Sequence, residues 1–397
     1  MNARECGDSL TEDATGLLEL TTDVVVDVEG IRALEPDYEH LYQVTGNTLP
    51  FALQDWHLAW CAHFLNRNPP IQDQPLFVVL RRASGECVAI VPLILSRRRL
   101  GPLKLASVAL LGVDPGLTEI RDPLIQPGYE WLAVRAVHAS LDKLGEWDWI
   151  QWSGISSALA EAMDGDVAPE WQGRTQDFLL DLPASWEEFR AGLKRNARES
   201  LRHCYNSLRR DGHTFEFVVA REPAEVRQAL KRFLELHAMR ANMTWGTQHP
   251  NQFSGPTLQA FLHSVCERLA ARDRVRVFQL RIGTEVVASR IGFAVGNSIY
   301  LYYSGFDPSW ARYSVMTTTV AEAFKYAIAN GCKTVNLSLG GEQSKFRWRP
   351  RIVEFHSALV QRTLLRSRIL SKAYRLSISR NGVRLLKSLV WPARDWS

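Results

Sequence analysis

Two charged side chains, Glu342 and Lys345, follow a pair of glycines directly after a predicted strand at Thr334–Leu339. The carboxyl ends of strands in open α/β sheets commonly border the crevice that binds ligand. A lysine at that place can hold a carboxylate, a phosphate or an oxyanion, and a glutamate can orient or deprotonate an acceptor. The pair therefore marks a candidate reactive site in the second half of the chain.

A second candidate lies where a loop meets the start of the predicted helix Ser314–Asn330. Two predicted strands, Val286–Val295 and Ile299–Ser304, precede this loop, and the strand Thr334–Leu339 follows the helix. The first turn of a helix offers unpaired backbone N–H groups and a partial positive charge, which together favour an anion. The strand–loop–helix–strand order thus predicts an anion site beside the charged pair.

A basic helix is predicted upstream, from Ser185 to about Arg210, with Glu188 completing a capping box and Gly212 beyond the end. Its non-apolar faces carry Lys194, Arg195, Arg198, Arg202, Arg209 and Arg210. One interpretation is a solvated amphipathic helix whose charges keep the chain soluble. The other is a platform for an anion, such as nucleotide phosphates, a tRNA acceptor stem or an anionic sugar lipid.

Length and composition favour a two-domain cytoplasmic protein. The 397 residues are many for one core, and the formal net charge is +4. The six cysteines are scattered without CxxC or ligand-like spacing, so we expect neither a disulfide framework nor a metal site. No apolar run has the length of a membrane span, and the polar, acidic start of the chain is unlike a signal peptide.

The chain reads as two copies of one α/β unit. In each copy, a hairpin with a Gly-containing turn is followed by an Asp-Pro pair, a helix that ends at a Gly, and a strand. The hairpin Leu80–Ala89 matches Leu280–Ala288, Asp122-Pro123 matches Asp307-Pro308, and the helix Gly128–Leu144 matches Ser314–Asn330. The first copy lacks the sequence GGEQSKFRW, so we expect it to be structural or to shape the acceptor site.

These elements divide the chain into five segments. We expect a loose N-terminus (1–22), a first unit (23–163), a linker (164–176), a second unit with the donor site (177–361) and a basic tail (362–397). The tail alternates apolar residues with Lys and Arg. It is interpreted either as a helix docked on the body or as an amphipathic helix on an anionic membrane surface.

The runs YLYYSGFDPSWARYS and LSLGGEQSKFRW resemble the C-terminal signature of large GNAT-like acyltransferases. The resemblance extends from about Asp23 to Arg362. More specifically, the chain resembles the CelD-like branch of cellulose and exopolysaccharide biosynthesis, which is closely related to Fem-type peptidoglycan transferases. It implies two tandem GNAT-like units, each a mixed central sheet flanked by helices. It also implies an acyl-CoA co-substrate such as acetyl-CoA, and no metal.

The resemblance also implies roles for residues. A GNAT cradles the donor's phosphates at the loop-to-helix junction, formed here by Arg312, Ser314, Val315, Met316 and Thr317. Relatives usually carry Pro-Gly after the serine, where this chain has Val315-Met316. Lys345 matches a lysine of Fem-like relatives, Glu342 is expected to act on the acceptor, and Tyr313 is expected to protonate the leaving thiolate. On the basic helix, the positions that match the relatives are Lys194, Arg195, Asn196, Arg198 and Arg202.

The predicted activity is N- or O-acyl transfer from acyl-CoA to a small-molecule, saccharide or lipid-linked acceptor, in exopolysaccharide or cell-envelope biosynthesis. Two alternatives stay open. One is a Fem-type aminoacyl transferase that uses aminoacyl-tRNA. The other is a degenerate, non-catalytic binding module of a polysaccharide-assembly system, which the Val315-Met316 departure keeps open. We expect a cytoplasmic protein with possible membrane contact through the tail.

Overall fold

A computed structural model describes residues 9–10, 20–66, 71–100, 103–114, 116–164, 167–246, 249–340, 343–364, 366–367 and 369–371. The chain forms two compact units. The first comprises the described residues up to Thr175 and from Glu354 onward, apart from Thr48–Pro50. The second comprises Thr48–Pro50 and Gln176–Val353.

The described strands, in chain order, are β1 (Ser9–Leu10), β2 (Leu20–Val25), β3 (Ile71–Arg82), β4 (Cys87–Leu100), β5 (Leu103–Leu110), β6 (Leu124–Ile125), β7 (Trp149–Ile155), β8 (Glu170–Asp181), β9 (Phe215–Ala220), β10 (Val275–Ile282), β11 (Glu285–Val295), β12 (Ser298–Phe306), β13 (Thr334–Leu339) and β14 (Arg351–Gln361). The described helices are α1 (Val28–Ala33), α2 (Glu35–Thr45), α3 (Gln54–Phe64), α4 (Glu130–Leu144), α5 (Ser157–Asp164), α6 (Trp186–Gly192), α7 (Arg195–Arg210), α8 (Pro223–Ala241), α9 (Pro256–Ala270), α10 (Val315–Ala329) and α11 (Gln343–Phe346). The described residues also form 3₁₀ helices at Pro50–Ala52 and Pro308–Tyr313, which lie in connections.

The first unit is built on a mixed sheet. Strands β1 to β5 pair antiparallel in chain order, β7 runs parallel to β5, and β14 runs antiparallel to β7. The short β6 pairs with β4. Val134, Val137 and Leu141 give α4 one apolar face, which packs with Ile150 and Trp152 of β7 in a fully buried cluster.

The second unit has a mixed sheet of the same design. Strands β9 to β12 pair antiparallel in chain order, β13 runs parallel to β12, and β8 runs antiparallel to β13. Phe324 and Ala327 of α10 pack with Leu301, Val335 and Leu337 of the sheet. The predicted fold class, with mixed sheets flanked by helices, is confirmed.

The strand order of the two sheets agrees with the predicted duplication. In each unit, antiparallel strands lead to a helix (α4 or α10), and the next long strand runs parallel to its sheet neighbour. Each of these helices ends at a glycine in the left-handed region, Gly145 with φ 72° and Gly331 with φ 73°. In the first unit, β7 pairs with β14, a strand that follows the second repeat in the chain. In the second unit, β13 pairs with β8, a strand that follows the first repeat.

The predicted basic helix is divided into α6 and α7. Leu193 and Lys194 take extended backbone angles, with ψ of 150° at both, and the buried side chain of Leu193 packs into the core. Arg349 Nη1 donates to the carbonyl of Gly192 at 2.9 Å. This bond gives a donor to a carbonyl at the end of α6, where carbonyls lack partners within the helix. The predicted cap is present, because the Glu188 N–H donates to Ser185 Oγ at 3.1 Å.

The described beginning of the predicted tail lies on the first unit. Arg362 donates to the carbonyl of Gly145, Ser367 Oγ donates to Asp148 Oδ1 at 3.1 Å, and Leu370 packs beside Trp149. These contacts fit the docked interpretation for these residues. The membrane interpretation concerns mainly residues 372–397, which lie outside the described residues, and it stays a prediction. Among the helices that the structure describes, none combines the length and apolar character that crossing a bilayer requires.

Helix α8 lies so close to β12 that one glycine has no room for a side chain. A Cβ at Gly305 would come within 2.5 Å of the carbonyl carbon of Leu236 and would overlap the backbone of His237. We expect Gly305→Ala to lower the free energy of unfolding by about 2 kcal/mol or more, because the obstacle is backbone that cannot rotate away. Chemical denaturation measures this. Gly192→Ala, with open space around its Cβ, is the matched control, and equal stability of the two variants would contradict the close approach.

Candidate functional site

Strands β12 and β13 of the second unit lie side by side for three residue pairs and then separate. The paired residues are Ser298 with Thr334, Ile299 with Val335, and Tyr300 with Asn336. Beyond Tyr300, β12 continues to Phe306, and β13 stays paired with β8 as far as Leu339 and Asp177. The edge of β12 that faces β13 therefore has no β13 partner over its second half.

A β-bulge lies in that second half. Leu301 and Ser304 of β12 oppose Gly292 and Arg290 of β11, so β12 carries one residue more than β11 in the interval. The interval holds Tyr302, which is buried, and Tyr303, which is half-buried. Bulges redirect backbone groups out of the regular ladder and occur frequently beside active sites.

A network of polar side chains holds the end of β13. Asn336, 4% exposed, donates from Nδ2 to Asp177 Oδ2 at 2.5 Å and accepts at Oδ1 from the Ser338 N–H at 2.7 Å. Ser338 has the left-handed φ of 68°, which turns its carbonyl out of the strand. Lys345 Nζ donates to that carbonyl at 2.9 Å and to the carbonyl of Leu339. Lys345 thus secures the strand end, and the other predicted member of the pair, Glu342, lies outside the described residues.

Asp177 is the buried carboxyl of this network. Its Oδ1 has no hydrogen-bond partner among the described residues. Burial raises the pKa of Asp177, while the hydrogen bond from Asn336 and the nearby charge of Lys345 act in the opposite direction. The carboxyl therefore retains a proton to higher pH than an exposed aspartate.

The start of α10 combines free amides with a guanidinium group. Ser314 precedes the helix in the left-handed region, with φ 53°, and its side chain does not cap the helix. Arg347, which follows α11, places Nη1 at 3.5 Å from Thr317 Oγ1 in the first turn. Thr318 is fully buried, and its hydroxyl has no hydrogen-bond partner among the described residues. The site thus has the charge and donors that favour an anion.

Val315 and Met316 stand where the resemblance to GNAT-like acyltransferases implies Pro-Gly. The side chain of Val315 is buried, and that of Met316 is half-buried. Val315 is 1% exposed and belongs to a buried cluster with Leu208 and Leu280, and Met316 packs against the same cluster. These side chains therefore pack toward the core. In the first turn, the N–H groups of Thr317 and Thr318 donate to the carbonyl of Ser314.

The structure groups Arg312 and Tyr313 with the end of α7. The Tyr313 hydroxyl donates to Asp211 Oδ2 at 2.9 Å and accepts from Arg312 Nη2 at 2.5 Å. Arg312 also lies over the Tyr313 ring, 4.6 Å from its centroid. Tyr313 is buried and Arg312 is exposed. The predicted roles of Tyr313 in proton transfer and of Arg312 in phosphate binding stay predictions.

The basic residues predicted on α7 are exposed and share one side of the helix. Arg195, Arg198, Arg202 and Arg209 follow at spacings of three, four and seven residues, over about 21 Å at 1.5 Å per residue. Arg195 pairs with Glu199 at 2.7 Å. No acidic partner is present for Lys194, Arg198 or Arg202 among the residues that the structure describes.

Sequence reasoning missed Arg347 and Asp177. Arg347 stands inside the quoted run LSLGGEQSKFRW, so its position two residues after Lys345 could have marked it as a second cation of the same site. The hydrogen bond between Asp177 and Asn336 joins residues far apart in sequence, so no local sequence pattern predicts it.

Comparisons with known proteins place this geometry in a family context. Residues 195–348 match the model of the acetyltransferase (GNAT) domain. Among solved structures, FemX is similar with a TM-score of 0.55 and 10% identity, covering 81% of this chain and 95% of that one. A conserved protein of unknown function from Bacteroides thetaiotaomicron has a TM-score of 0.51 and 13% identity, covering 82% and 97%. No curated protein matches the sequence. Residues 195–348 of the second unit thus match a GNAT domain model, and the fold of the chain is similar to that of FemX.

The polar network at the end of β13 predicts energetic coupling between Lys345 and Asp177. Lys345→Ala removes a charged donor from two carbonyls and a positive charge from beside the buried carboxyl of Asp177. We expect it to lower the free energy of unfolding by about 1–3 kcal/mol at pH 7, and by less in the Asp177→Asn background. A double-mutant cycle by denaturation measures the difference.

The coupling has a defined pH dependence. Because burial raises the folded-state pKa of Asp177 above its usual value, ionisation destabilises the fold as pH rises from the ordinary carboxyl pKa of about 4. Asp177→Asn should therefore gain stability relative to the natural protein over that rise. The coupling with Lys345 should vanish at acid pH, where Asp177 is neutral. A coupling that is the same at pH 4 and pH 8 would contradict this assignment.

Proposed function

We propose that the second unit is a GNAT-type acyltransferase that moves an acyl group from acyl-CoA to an amine or hydroxyl acceptor. One observation carries the proposal. Strands β12 and β13 separate after three residue pairs, and the chain leads from the free part of β12 to the start of α10, where Arg347 and Thr317 lie. A strand edge that leads to an anion site suits a ligand with an amide-bearing arm and a pyrophosphate.

The edge of β12 beyond Tyr300 supports binding of the arm. The pantetheine arm of CoA is extended and contains two amide groups, so it can pair with a strand edge as an added strand would. At the bulge around Tyr302 and Tyr303, a backbone N–H directed out of the ladder is suited to the carbonyl oxygen of a thioester. The edge would thereby orient the reacting carbonyl.

The start of α10 supports binding of the phosphates. Arg347 supplies a guanidinium, Thr317 supplies a hydroxyl, and the first-turn amides add donors. The side chains of Val315 and Met316 pack on the core, so in this proposal they leave the approach of a phosphate to the helix start unobstructed. In this proposal Arg312 adds a longer-range positive charge.

The chemistry divides among the residues of the site. Acyl-CoA supplies an activated acyl thioester. The acceptor would attack the carbonyl carbon that the β12 backbone polarises, and it would give up its proton to Glu342 as predicted. The C–S bond would break, and the half-buried Tyr303 or the Arg312-linked Tyr313 would donate a proton to the leaving thiolate. Lys345 and Asp177 would act as positioning residues, because their polar atoms hold the end of β13.

The acceptor is proposed from the resemblance. Similarity to CelD-like proteins favours a saccharide or lipid-linked acceptor of exopolysaccharide or cell-envelope biosynthesis in the cytoplasm. The first unit would then shape the acceptor site. The described residues hold no group of three or more metal-ligating side chains, and a thioester donor needs no metal for this transfer.

Arg347→Ala tests the donor assignment. We expect calorimetry to show acetyl-CoA binding weakened about 10- to 100-fold, since a lost charge-assisted hydrogen bond amounts to about 1.5–3 kcal/mol. Binding of acetyl-pantetheine, which lacks the ADP and pyrophosphate groups, should change little. Lys345→Ala should retain acetyl-CoA affinity within a few-fold.

Arg227→Ala is the control, because Arg227 is an exposed arginine of the second unit that pairs with Glu267 on the surface. It should leave both affinities unchanged. If Arg347→Ala affects acetyl-CoA and acetyl-pantetheine equally, or if Arg227→Ala has the same effect, the phosphate assignment is wrong. If the natural protein binds no acetyl-CoA at millimolar concentration, the acyl-CoA proposal fails.

The exposed arginines of α7 favour a second candidate, a Fem-type aminoacyl transferase. A stripe of guanidinium groups over about 21 Å matches the spacing of several phosphates along a nucleic-acid strand, and such contacts give affinity without base recognition. Under this proposal, Lys194, Arg198 and Arg202 would contact an acceptor stem of aminoacyl-tRNA. The basic face would then be a binding surface rather than a solvated face.

Neutralising Arg195, Arg198 and Arg202 together discriminates between the two candidates. For the aminoacyl transferase we expect micromolar, salt-dependent tRNA binding whose slope of log K against log salt concentration becomes shallower by about 2–3 in the triple Ala variant. Acetyl-CoA affinity should be unchanged. A protein that binds neither acetyl-CoA nor tRNA would leave the degenerate binding module as the remaining interpretation.

A further inference from the structure

The first unit contains a pocket where the loop before α4 meets the start of that helix. The pocket has a volume of about 150 Å³, and its lining includes Asp122, Glu130, Ser156, Asn47, Ile125 and Leu159. An engineered apolar cavity of about this volume accommodates benzene, so a ligand of about six non-hydrogen atoms fits. The pocket thus has the size of a small-molecule site.

The duplication assigns this pocket a counterpart in the second unit. Asp122-Pro123 precedes α4 as Asp307-Pro308 precedes α10. The counterpart in the second unit carries Arg312, Thr317 and Arg347, whereas the first-unit pocket carries two carboxyl groups. Its charge is therefore the reverse of a phosphate cradle, and an anionic donor would be repelled there.

Neither carboxyl group has a cationic partner among the described residues. Asp122 Oδ1 accepts from the Ser156 N–H at 2.7 Å, and Glu130 Oε2 accepts from the Gly128 N–H at 2.8 Å. Burial raises the pKa of Asp122 to about 7, and the charge of Glu130 adds to the rise. A bound cation would favour ionisation of Asp122 and compensate both charges.

We propose that the first-unit pocket binds a small organic ammonium ion. The cationic group would lie between Asp122 and Glu130, and the aliphatic body would lie against Ile125, Leu159 and the neighbouring prolines. A hard metal cation prefers six or more oxygen ligands, whereas this lining carries two carboxyl groups and sets Ile125, Leu159 and two prolines beside them. The proposal concerns the first unit alone and does not depend on the proposed transferase activity.

Butylammonium chloride is the probe, titrated into the full-length protein by calorimetry or ligand-observed NMR near pH 7. We expect a dissociation constant of about 1 mM or lower. The neutral isostere 1-butanol should bind at least 10-fold more weakly. Butylammonium binding should release protons, which titrations in two buffers of different ionisation enthalpy detect, because Asp122 is partly protonated when the pocket is empty.

The variants separate a binding role from a structural one. Asp122→Asn retains an oxygen that can accept from the Ser156 N–H, so the fold should persist while butylammonium affinity falls at least 10-fold and proton release is lost. Glu130→Gln should weaken binding in the same direction. Glu161→Gln removes a charge from the exposed face of α5 and is the control.

Three results would overturn the proposal. They are equal binding of 1-butanol and butylammonium, an equal effect of Glu161→Gln, and competition by millimolar MgCl₂ that Asp122→Asn abolishes, which would identify a metal site instead. Acetyl-CoA binding measured on the same samples reports on the second unit. The ammonium site and the proposed acyl-CoA site are therefore tested separately, and either proposal can fail while the other holds.

Discussion

Asn336 is the last residue of β13 that pairs with β12. The geometry of the second unit beyond this point depends on its side chain. Its amide group donates from Nδ2 to Oδ2 of the buried Asp177 and accepts at Oδ1 from the Ser338 N–H. Leaving such buried groups unpaired costs about 1–3 kcal/mol each, so the two bonds favour the left-handed turn at Ser338 over continued pairing. The turned carbonyl then receives Lys345.

The consequences of that turn extend to the anion site. Because Lys345 is held on the carbonyls of Ser338 and Leu339, the following residues are directed back toward α10, where Arg347 approaches Thr317. Trp348, 5% exposed, packs with Phe189 and Phe324 and fixes the same segment from the other side. One buried amide thus links the separation of the strands to the placement of a cation at a helix start.

The regular elements of the second unit could be predicted because their signals are local. Thr334–Leu339 was predicted with the bounds observed for β13, and α10 differs from its prediction by one residue at each end. Periodicity and a terminal glycine determine such elements. The break before α7 was not predictable, because it depends on the burial of Leu193 and on Arg349, which is distant in sequence.

The position of the candidate site in the chain could be predicted from sequence, but the contacts between its side chains could not. The motif identified Lys345 and the start of α10, yet side-chain direction at Val315 and Met316 depends on packing against α7 and the sheet. The pairing of Tyr313 with Asp211 joins residues that no periodicity relates. The correspondence of the two loop-to-helix junctions was predicted from the repeated Asp-Pro pairs, and the repeated strand order agrees with it.

Hydrogen–deuterium exchange of the full-length protein, with and without acetyl-CoA, tests most directly whether the separated strands and α10 form the donor site. The account predicts slower exchange in two segments, the free half of β12 at residues 301–306 and the first turn of α10 at residues 315–318. Exchange at the junction before α4 in the first unit should not change. Protection confined to that first-unit junction, or no protection at saturating acetyl-CoA, would contradict the account.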